Sequence, residues 1–386
     1  MAATKTLELI KRLVSFDTTS RESNLKLIAY IQDYLNDLGV ESQLVHNAEN
    51  TKANLYATIG DKSTSGIMLS GHTDVVPVDG QNWDSDPFQL RQADGRLYGR
   101  GTSDMKSFIA ITLAMLPEFI ERGLNTPLHL AFSYDEEIGC IGVRRLIDKL
   151  KGMPVKPAMC IVGEPTNLQV VTGHKGKRSY VVEVRGFEAH SSLAPEGVNA
   201  IEYAAELIAH IKKMARRIAA SGPYDDLYDV THTTLHTGTV SGGTQLNIVP
   251  RSCRFEFEFR YVGDDDPDAL ETEIREFSRT LEADMQSVQA DTGIEITMVN
   301  DMPGLDMDVD SEIVTFVKSL AGRNDHAKVA FGTEAGLFHQ RVGIPSVVCG
   351  PGSIHQAHKP NEYIELSQID AGEAFMKRLM DKICVA

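Results

Sequence analysis

Long apolar runs are missing from this chain. No stretch approaches the roughly 20 residues that a membrane-spanning helix needs. The opening segment, MAATKTLELIKRLVSF, lacks the continuous apolar core of a secretory signal. Cysteine is sparse: Cys140, Cys160, Cys253, Cys349 and Cys384 are scattered, with no C-x-x-C pair. An odd set without a framework reads as reduced thiols in a cytoplasmic protein. Cys140 and Cys349 lie near the motifs below, but neither has a Cys/His/Asn arrangement, so a thiol hydrolase is disfavoured. Positive charge is in deficit, with 38 Lys and Arg against 54 Asp and Glu and a formal net charge of −16. That argues against nucleic acid or an anionic membrane surface as partner. Internal repeats and low-complexity tracts are absent too.

What is present is an ordinary globular composition, 42% hydrophobic and 24% charged over 386 residues. The length predicts two domains at about 100–200 residues each. Near the start, Leu7, Ile10, Leu13 and Val14 mark one helical face. Leu27, Ile28, Ile31, Leu35 and Leu38 mark another, stopped by Gly39. Apolar runs at Gly66–Ser70, Leu128–Tyr134 and Ala158–Val162 suit buried strands. A long helix over 106–121, bent at Pro117, lies between the first two. This order predicts an α/β sandwich with a central, mostly parallel sheet.

The middle of the chain changes pattern. Strands are expected at 179–185, 233–240, 252–260 and 294–300, with helices at 199–219 and 268–285. The order β-α-β-β-α-β is that of a ferredoxin-like unit. Residues 178–301 are therefore read as a second domain inserted into the first, which comprises 1–177 and 302–386. In Ser252–Arg260, Cys253, Phe255, Phe257 and Phe259 share one face and Arg254, Glu256, Glu258 and Arg260 the other. After residue 302 the α/β pattern returns. Strands are expected at Val329–Phe331 and Ser346–Cys349, a helix at 334–341 between them, and a last helix at 368–383.

Five blocks put a possible metal-ligating side chain just beyond an apolar strand or in a glycine-rich loop. They are SGHTDVVP with His72 and Asp74, GRGTSDMK with Asp104, DEEIG with Glu136 and Glu137, GEPT with Glu164, and AHKPNEY with His358. Loops beyond the carboxyl ends of strands are where open α/β sheets bind ligands. Two histidines and three carboxylates suffice for two zinc-like ions when one carboxylate is shared. A further carboxylate must stay off the metal to take a proton from bound water, and Glu136–Glu137 supplies a spare. Singly, each residue has a plainer reading. His72 or His358 could be a satisfied strand-end histidine, Asp104 a helix cap, and Glu136 and Glu137 helix-start charges. The joint order of five motifs outweighs these.

The same blocks, taken together across nearly the whole chain, resemble the co-catalytic zinc aminoacylases and carboxypeptidases. That resemblance implies a two-metal amidohydrolase acting on a small N-acyl amino acid, with zinc as the ion and cobalt or manganese as alternatives. It implies that His72 and Glu164 bind one ion, Glu137 and His358 the other, and that Asp104 bridges them. Glu136 is then the general base, and Asp74 orients His72. It also implies a cis peptide at Asp104–Met105. The inserted domain resembles that family's lid and dimerisation domain. His190, in GFEAHSS, would act in the partner subunit of a homodimer and help stabilise the oxyanion. Asn247 and Arg260 would bind the substrate carboxylate, with Gly332 and Thr333 as loop contacts. His190 as a surface turn residue and Arg260 as a mere polar-face residue remain open. Desuccinylases and dipeptidases share such a centre, and a non-catalytic binding protein on this fold is the rival from another class.

Overall fold

The structure, a computed structural model, describes residues 4–385. Contacts divide the chain into two units. The first comprises Met1–His174, Leu305–Lys328 and Thr333–Ala386, the second Lys175–Gly304 and Val329–Gly332.

The first unit is built on a nine-stranded sheet. Its order is Ser42–His46, Ala53–Ile59, Leu128–Ser133, Ile67–His72, Met159–Pro165, Ser346–Gly350, Val170–His174 and Leu305–Asp306, with His326–Val329 paired to Val170–His174. The four strands from Leu128–Ser133 to Ser346–Gly350 run parallel. The strands flanking them pair antiparallel. The sheet is thus mixed, and parallel only at its centre. Leu128–Ser133 and Ile67–His72 are buried at every position, as expected where helices cover both faces of a sheet.

The helix Lys106–Arg122 packs on the strand Ile67–His72, on the first helix, Thr4–Val14, and on the last, Leu366–Ile383. It is buried nearly all round its first three turns. Each Phe, Ile or Leu buried there contributes about 1.5–3 kcal/mol, which offsets the cost of about 3 kcal/mol for Pro117 within the helix. Thr4–Val14 buries Thr6 and Leu9 where the sequence reading placed Leu7.

A smaller three-stranded sheet joins Arg91–Ala93 and Arg96–Tyr98 to Tyr363–Glu365. It was not foreseen, because its strands are only three residues long. Its register sets Tyr363 opposite Tyr98 and so brings two motif loops side by side.

The second unit carries a four-stranded antiparallel sheet in the order Thr234–Gly242, Ser252–Tyr261, Gly176–Arg185 and Gly293–Met302. The helices Ala200–Ser221 and Pro267–Val288 complete a ferredoxin-like arrangement. The alternation in Ser252–Tyr261 is as predicted, with Cys253, Phe255, Phe257 and Phe259 buried. They join Leu207, Ile211, Met214, Ile274 and Met285 in one core.

One predicted strand is displaced. Val329–Phe331 reads as a short apolar run, yet the strand is His326–Val329 and the chain bends before Gly332. A Cβ on Gly332 would lie 1.9 Å from Met302 Cε, so a side chain there would have to displace the end of Met302.

Candidate metal centre

The four parallel strands end at one edge of the sheet. His72 closes the strand Ile67–His72, and Glu164 is the penultimate residue of the strand Met159–Pro165. Glu136 and Glu137 follow Leu128–Ser133, and the segment leading to His358 follows Ser346–Gly350. Gly163, beside Glu164, has no room for a side chain: a Cβ there would sit 2.2 Å from the Phe108 ring. Asp104 arrives separately, from the loop that opens the helix Lys106–Arg122, and its peptide to Met105 is cis. Met105 Sδ accepts from His72 N at 3.3 Å, tying that loop to the strand end.

Asp104 is 5% exposed, and its two oxygens part company. Oδ1 lies 2.9 Å from His72 Nε2, and Oδ2 lies 3.2 Å from His358 Nε2. Glu137 Oε2 is 3.0 Å from the same His358 nitrogen, and Glu164 Oε1 is 3.7 Å from His72 Nε2. Donor atoms of His72, Glu136 and Glu164 lie within 4.8 Å of one another, as do those of His72, Asp104 and Glu137. The centre therefore has two halves with Asp104 between them. Asp104 caps no helix, since Met105 holds the N-cap position and makes no side-chain cap bond. Nor do Glu136 and Glu137 begin a helix; the next one starts at Val143.

Asp74 holds these groups in place without joining them. Its backbone oxygen is 3.0 Å from His72 Nδ1, and its Oδ1 is 3.5 Å from that nitrogen. Its carboxylate accepts from Glu136 N at 3.1 Å, Glu137 N at 3.3 Å and Ser20 Oγ at 2.7 Å. With Nδ1 directed at the oxygens of Asp74, Nε2 is left to face the centre.

Charge in this nest is poorly balanced by the protein alone. Burial, together with the neighbouring Asp104 charge, pushes Glu137 up to about 7. Burial and Asp104 also raise Glu164 to about 7, against the pull of His72. Burial and the Glu164 charge hold Glu136 well above the usual carboxylate range. Asp104 is raised by burial too, but the hydrogen bonds with His358 and His72 outweigh it and leave its carboxyl low. His358, bonded to Asp104 and Glu137, is raised to about 10. Glu164 Oε1 is buried with no hydrogen-bond partner. An orphaned carboxylate oxygen inside a ring of carboxylates and two histidines fits divalent cations, whose charge would reverse these shifts.

A pH dependence follows. Glu137 and Glu164 are raised to about 7 and His72 and His358 are raised as well, so an incoming cation must displace protons from carboxyls and imidazoles alike, and fewer of them as pH rises. Affinity for zinc should therefore rise from pH 6 to pH 8, with protons released on binding. Calorimetry at pH 7 in two buffers of different ionisation enthalpy measures that release, and identical heats in both would contradict it.

Of the residues expected to contact substrate, His190, Asn247, Arg260 and Gly332 belong to the second unit and Thr333 to the first. His190 is exposed at the N-cap of the short 3-10 helix Ser191–Glu196. Its Nδ1 accepts from Ser192 N at 3.2 Å, which leaves Nε2 as the nitrogen that can donate. Asn247 is exposed, and its backbone oxygen accepts from Ser191 N at 3.0 Å. Arg260 Nε donates to Glu258 Oε1 at 3.0 Å, on the polar face of its strand. Gly332 sits at the bend beside Met302. Thr333 is buried, and its Oγ1 accepts from Ala335 N at 3.2 Å as a helix cap.

Two buried carboxylates near the centre escaped the sequence reading. Glu334 is 1% exposed, accepts from Ser70 Oγ at 3.4 Å, and is raised by burial to about 7. Glu362 is 1% exposed and receives the backbone of the Asp104 loop. Its position inside AHKPNEY was the only signal, and nothing in the spacing distinguished it from a surface charge.

Known proteins resemble this chain over nearly its whole length. Residues 68–382 match the family described as Peptidase family M20/M25/M40. An acetylornithine deacetylase of Aliivibrio fischeri is 32% identical over 371 residues, covering 96% of this chain and 94% of that one. Among solved structures, a Staphylococcus aureus tripeptidase superposes with a TM-score of 0.75 at 20% identity, covering 99% of each chain. A Bacillus subtilis protein described as a dinuclear metal binding peptidase from the M20 family gives a TM-score of 0.67 at 15% identity, covering 98% of this chain and 97% of that one.

Proposed function

The chain belongs to Peptidase family M20/M25/M40 and is a hydrolase of amide bonds; from that premise we propose that it removes the acetyl group of N2-acetyl-L-ornithine, giving acetate and L-ornithine. The division of Asp104 between two histidines is the observation that carries the chemistry. It suits one carboxylate shared by two cations, with His72 and Glu164 on one side and Glu137 and His358 on the other. Zinc is the ion proposed, with cobalt or manganese as alternatives; the mixed imidazole and carboxylate set suits all three.

Bound there, two divalent ions supply an acidified water and a Lewis-acid grip on the scissile carbonyl. The rest falls to this chain's side chains. Glu136 takes the proton from the water and passes it to the leaving nitrogen, so that the acyl carbon gains the hydroxyl and the amine gains the hydrogen. The backbone N–H groups of Glu136 and Glu137 donate to the Asp74 carboxylate, which keeps Glu136 beside the centre. Cys140 Sγ, 3.3 Å from Glu136 Oε1, adds a weak donor to the base. Glu136 also lies within ligand distance of His72 and Glu164. Two carboxylates on consecutive residues fit a division of labour between binding and proton transfer. His190 Nε2–H is the proposed donor to the developing oxyanion. Asn247 and Arg260 are the proposed holders of the substrate carboxylate.

The acetylornithine assignment rests on curated relatives of that name, matched across 96% of this chain. It is supported by the blocks at 170–177, 241–260 and 331–363, whose likeness to such deacetylases is closer than that of the metal motifs. A panel of acetylornithine, succinyl-diaminopimelate and dipeptides on zinc-loaded protein decides it. Acetylornithine should lead in kcat/KM by about 100-fold or more. A lead for the succinylated compound or a dipeptide would move the assignment, and no turnover of any would favour a binding protein.

A further inference from the structure

Glu362 accepts four hydrogen bonds, all from the loop that carries Asp104. Its Oε1 receives Ser103 N at 2.8 Å and Asp104 N at 3.1 Å. Its Oε2 receives Gly101 N at 3.1 Å and Arg100 Nη1 at 2.7 Å. Arg100, like Glu362, is 1% exposed. Its Nη2 donates to Gln81 Oε1 at 2.7 Å, and its guanidinium lies 5.1 Å from the Trp83 ring centroid. Gln81 Nε2 in turn donates to the backbone oxygen of His358 at 3.1 Å. Because Glu362 stands four residues after His358, these bonds close a ring from the Asp104 backbone to the His358 backbone and back.

The two histidines differ in what holds them. His72 is 1% exposed, at the end of a buried strand, with Asp74 behind its ring. The His358 side chain is half exposed, on backbone at φ +63°, outside any helix or strand. Left-handed backbone is strained for a residue with a side chain and persists only where its surroundings fix it. A fully buried Arg–carboxylate pair is also a poor source of stability, since both charges must leave water. Its position between two donor-bearing loops gives it a different use.

We propose that Gln81, Arg100 and Glu362 are positioning residues that clamp the His358 loop to the Asp104 loop, and that this clamp sets the affinity of the Glu137–His358 half of the centre. The proposal rests on the two-cation reading above. Loss of the clamp leaves His72 and Glu164 where they are and frees His358 to drift from Asp104. Partners behind a ligand typically change metal affinity by about 10–100-fold.

Gln81 is only half-buried, so Gln81→Ala leaves the core intact. Zinc titrations of metal-free wild type and variant by calorimetry, with thermal melting of both metal-free proteins, separate the outcomes. The variant should bind the first ion as wild type does and the second about 10–100-fold more weakly, with melting unchanged. Gln81→Glu keeps the contact to Arg100 but sets a carboxylate against the His358 carbonyl, and should be no better than the alanine variant. If wild type binds fewer than two ions, the two-cation reading itself fails. If wild type binds two and Gln81→Ala weakens both steps alike, or neither, the clamp is overturned. A variant whose only change is a lower melting temperature overturns it as well.

Discussion

Glu136→Gln should cut turnover by about 10²–10⁴-fold, the usual worth of a positioned general base, while zinc content stays at two per chain. Glutamine keeps the shape and can still accept from Cys140, but it cannot take a proton. Burial first, and then the Glu164 charge, raises the carboxyl of Glu136. Bound cations would lower it toward the range in which a base is ionised at neutral pH and still releases its proton to an amine. Turnover measured beside metal analysis distinguishes the roles. A variant that keeps most of its rate removes Glu136 as the base, and one that loses an ion makes it a ligand.

The second expected result is recovery of activity from two dead proteins. His190 lies in the ferredoxin-like unit, exposed, with Nδ1 accepting from Ser192 N. We propose that the protein is a homodimer and that His190 serves the site of the partner. His190→Ala and Glu136→Gln chains, each inactive alone, should then regain activity when mixed and allowed to exchange subunits. In the mixed dimer one site lacks both residues and the other lacks neither. Activity should approach about a quarter of wild type, since random exchange makes half the dimers mixed and each has one whole site. A mixture that stays dead although exchange is shown to occur places His190 in its own chain's site, and a fully active monomer rules out the arrangement altogether.

The centre was legible because its donors are local. His72 and Glu164 stand at the ends of apolar strands, and Glu136 and Glu137 follow one within a few residues, so a linear reading of strands and their ends finds them. The role of Glu362 was hidden for the opposite reason. Its donors come from residues 100–104, roughly 260 positions earlier, and only the short pairing of Arg96–Tyr98 with Tyr363–Glu365 brings them together. The β-α-β-β-α-β order of the second unit was legible from alternation, as in Cys253 to Phe259. Strand direction was legible for the four central strands, which run parallel, but not for those beside them. Ala53–Ile59 is as buried as its neighbour Leu128–Ser133, yet the two pair antiparallel, and burial alone carries no sign of direction. Thr333 also caps the helix that begins at Glu334, a local role that its loop motif did not announce.

The place of Ser346–Gly350 in the sheet has a bearing on how the protein is made. This strand comes late in the chain but lies in the middle of the sheet, between Met159–Pro165 and Val170–His174. During synthesis those two neighbours wait, with the whole ferredoxin-like unit emerging in the interval. A nascent or truncated chain ending before residue 346 would present two unpaired strand edges, each a template for aggregation. It would also lack His358 and the Glu362 anchor of the Asp104 loop. On the two-cation reading, capture of the second cation would be deferred until the last elements have threaded into place, and a chain cut short would hold its carboxylates without the means to close around both ions.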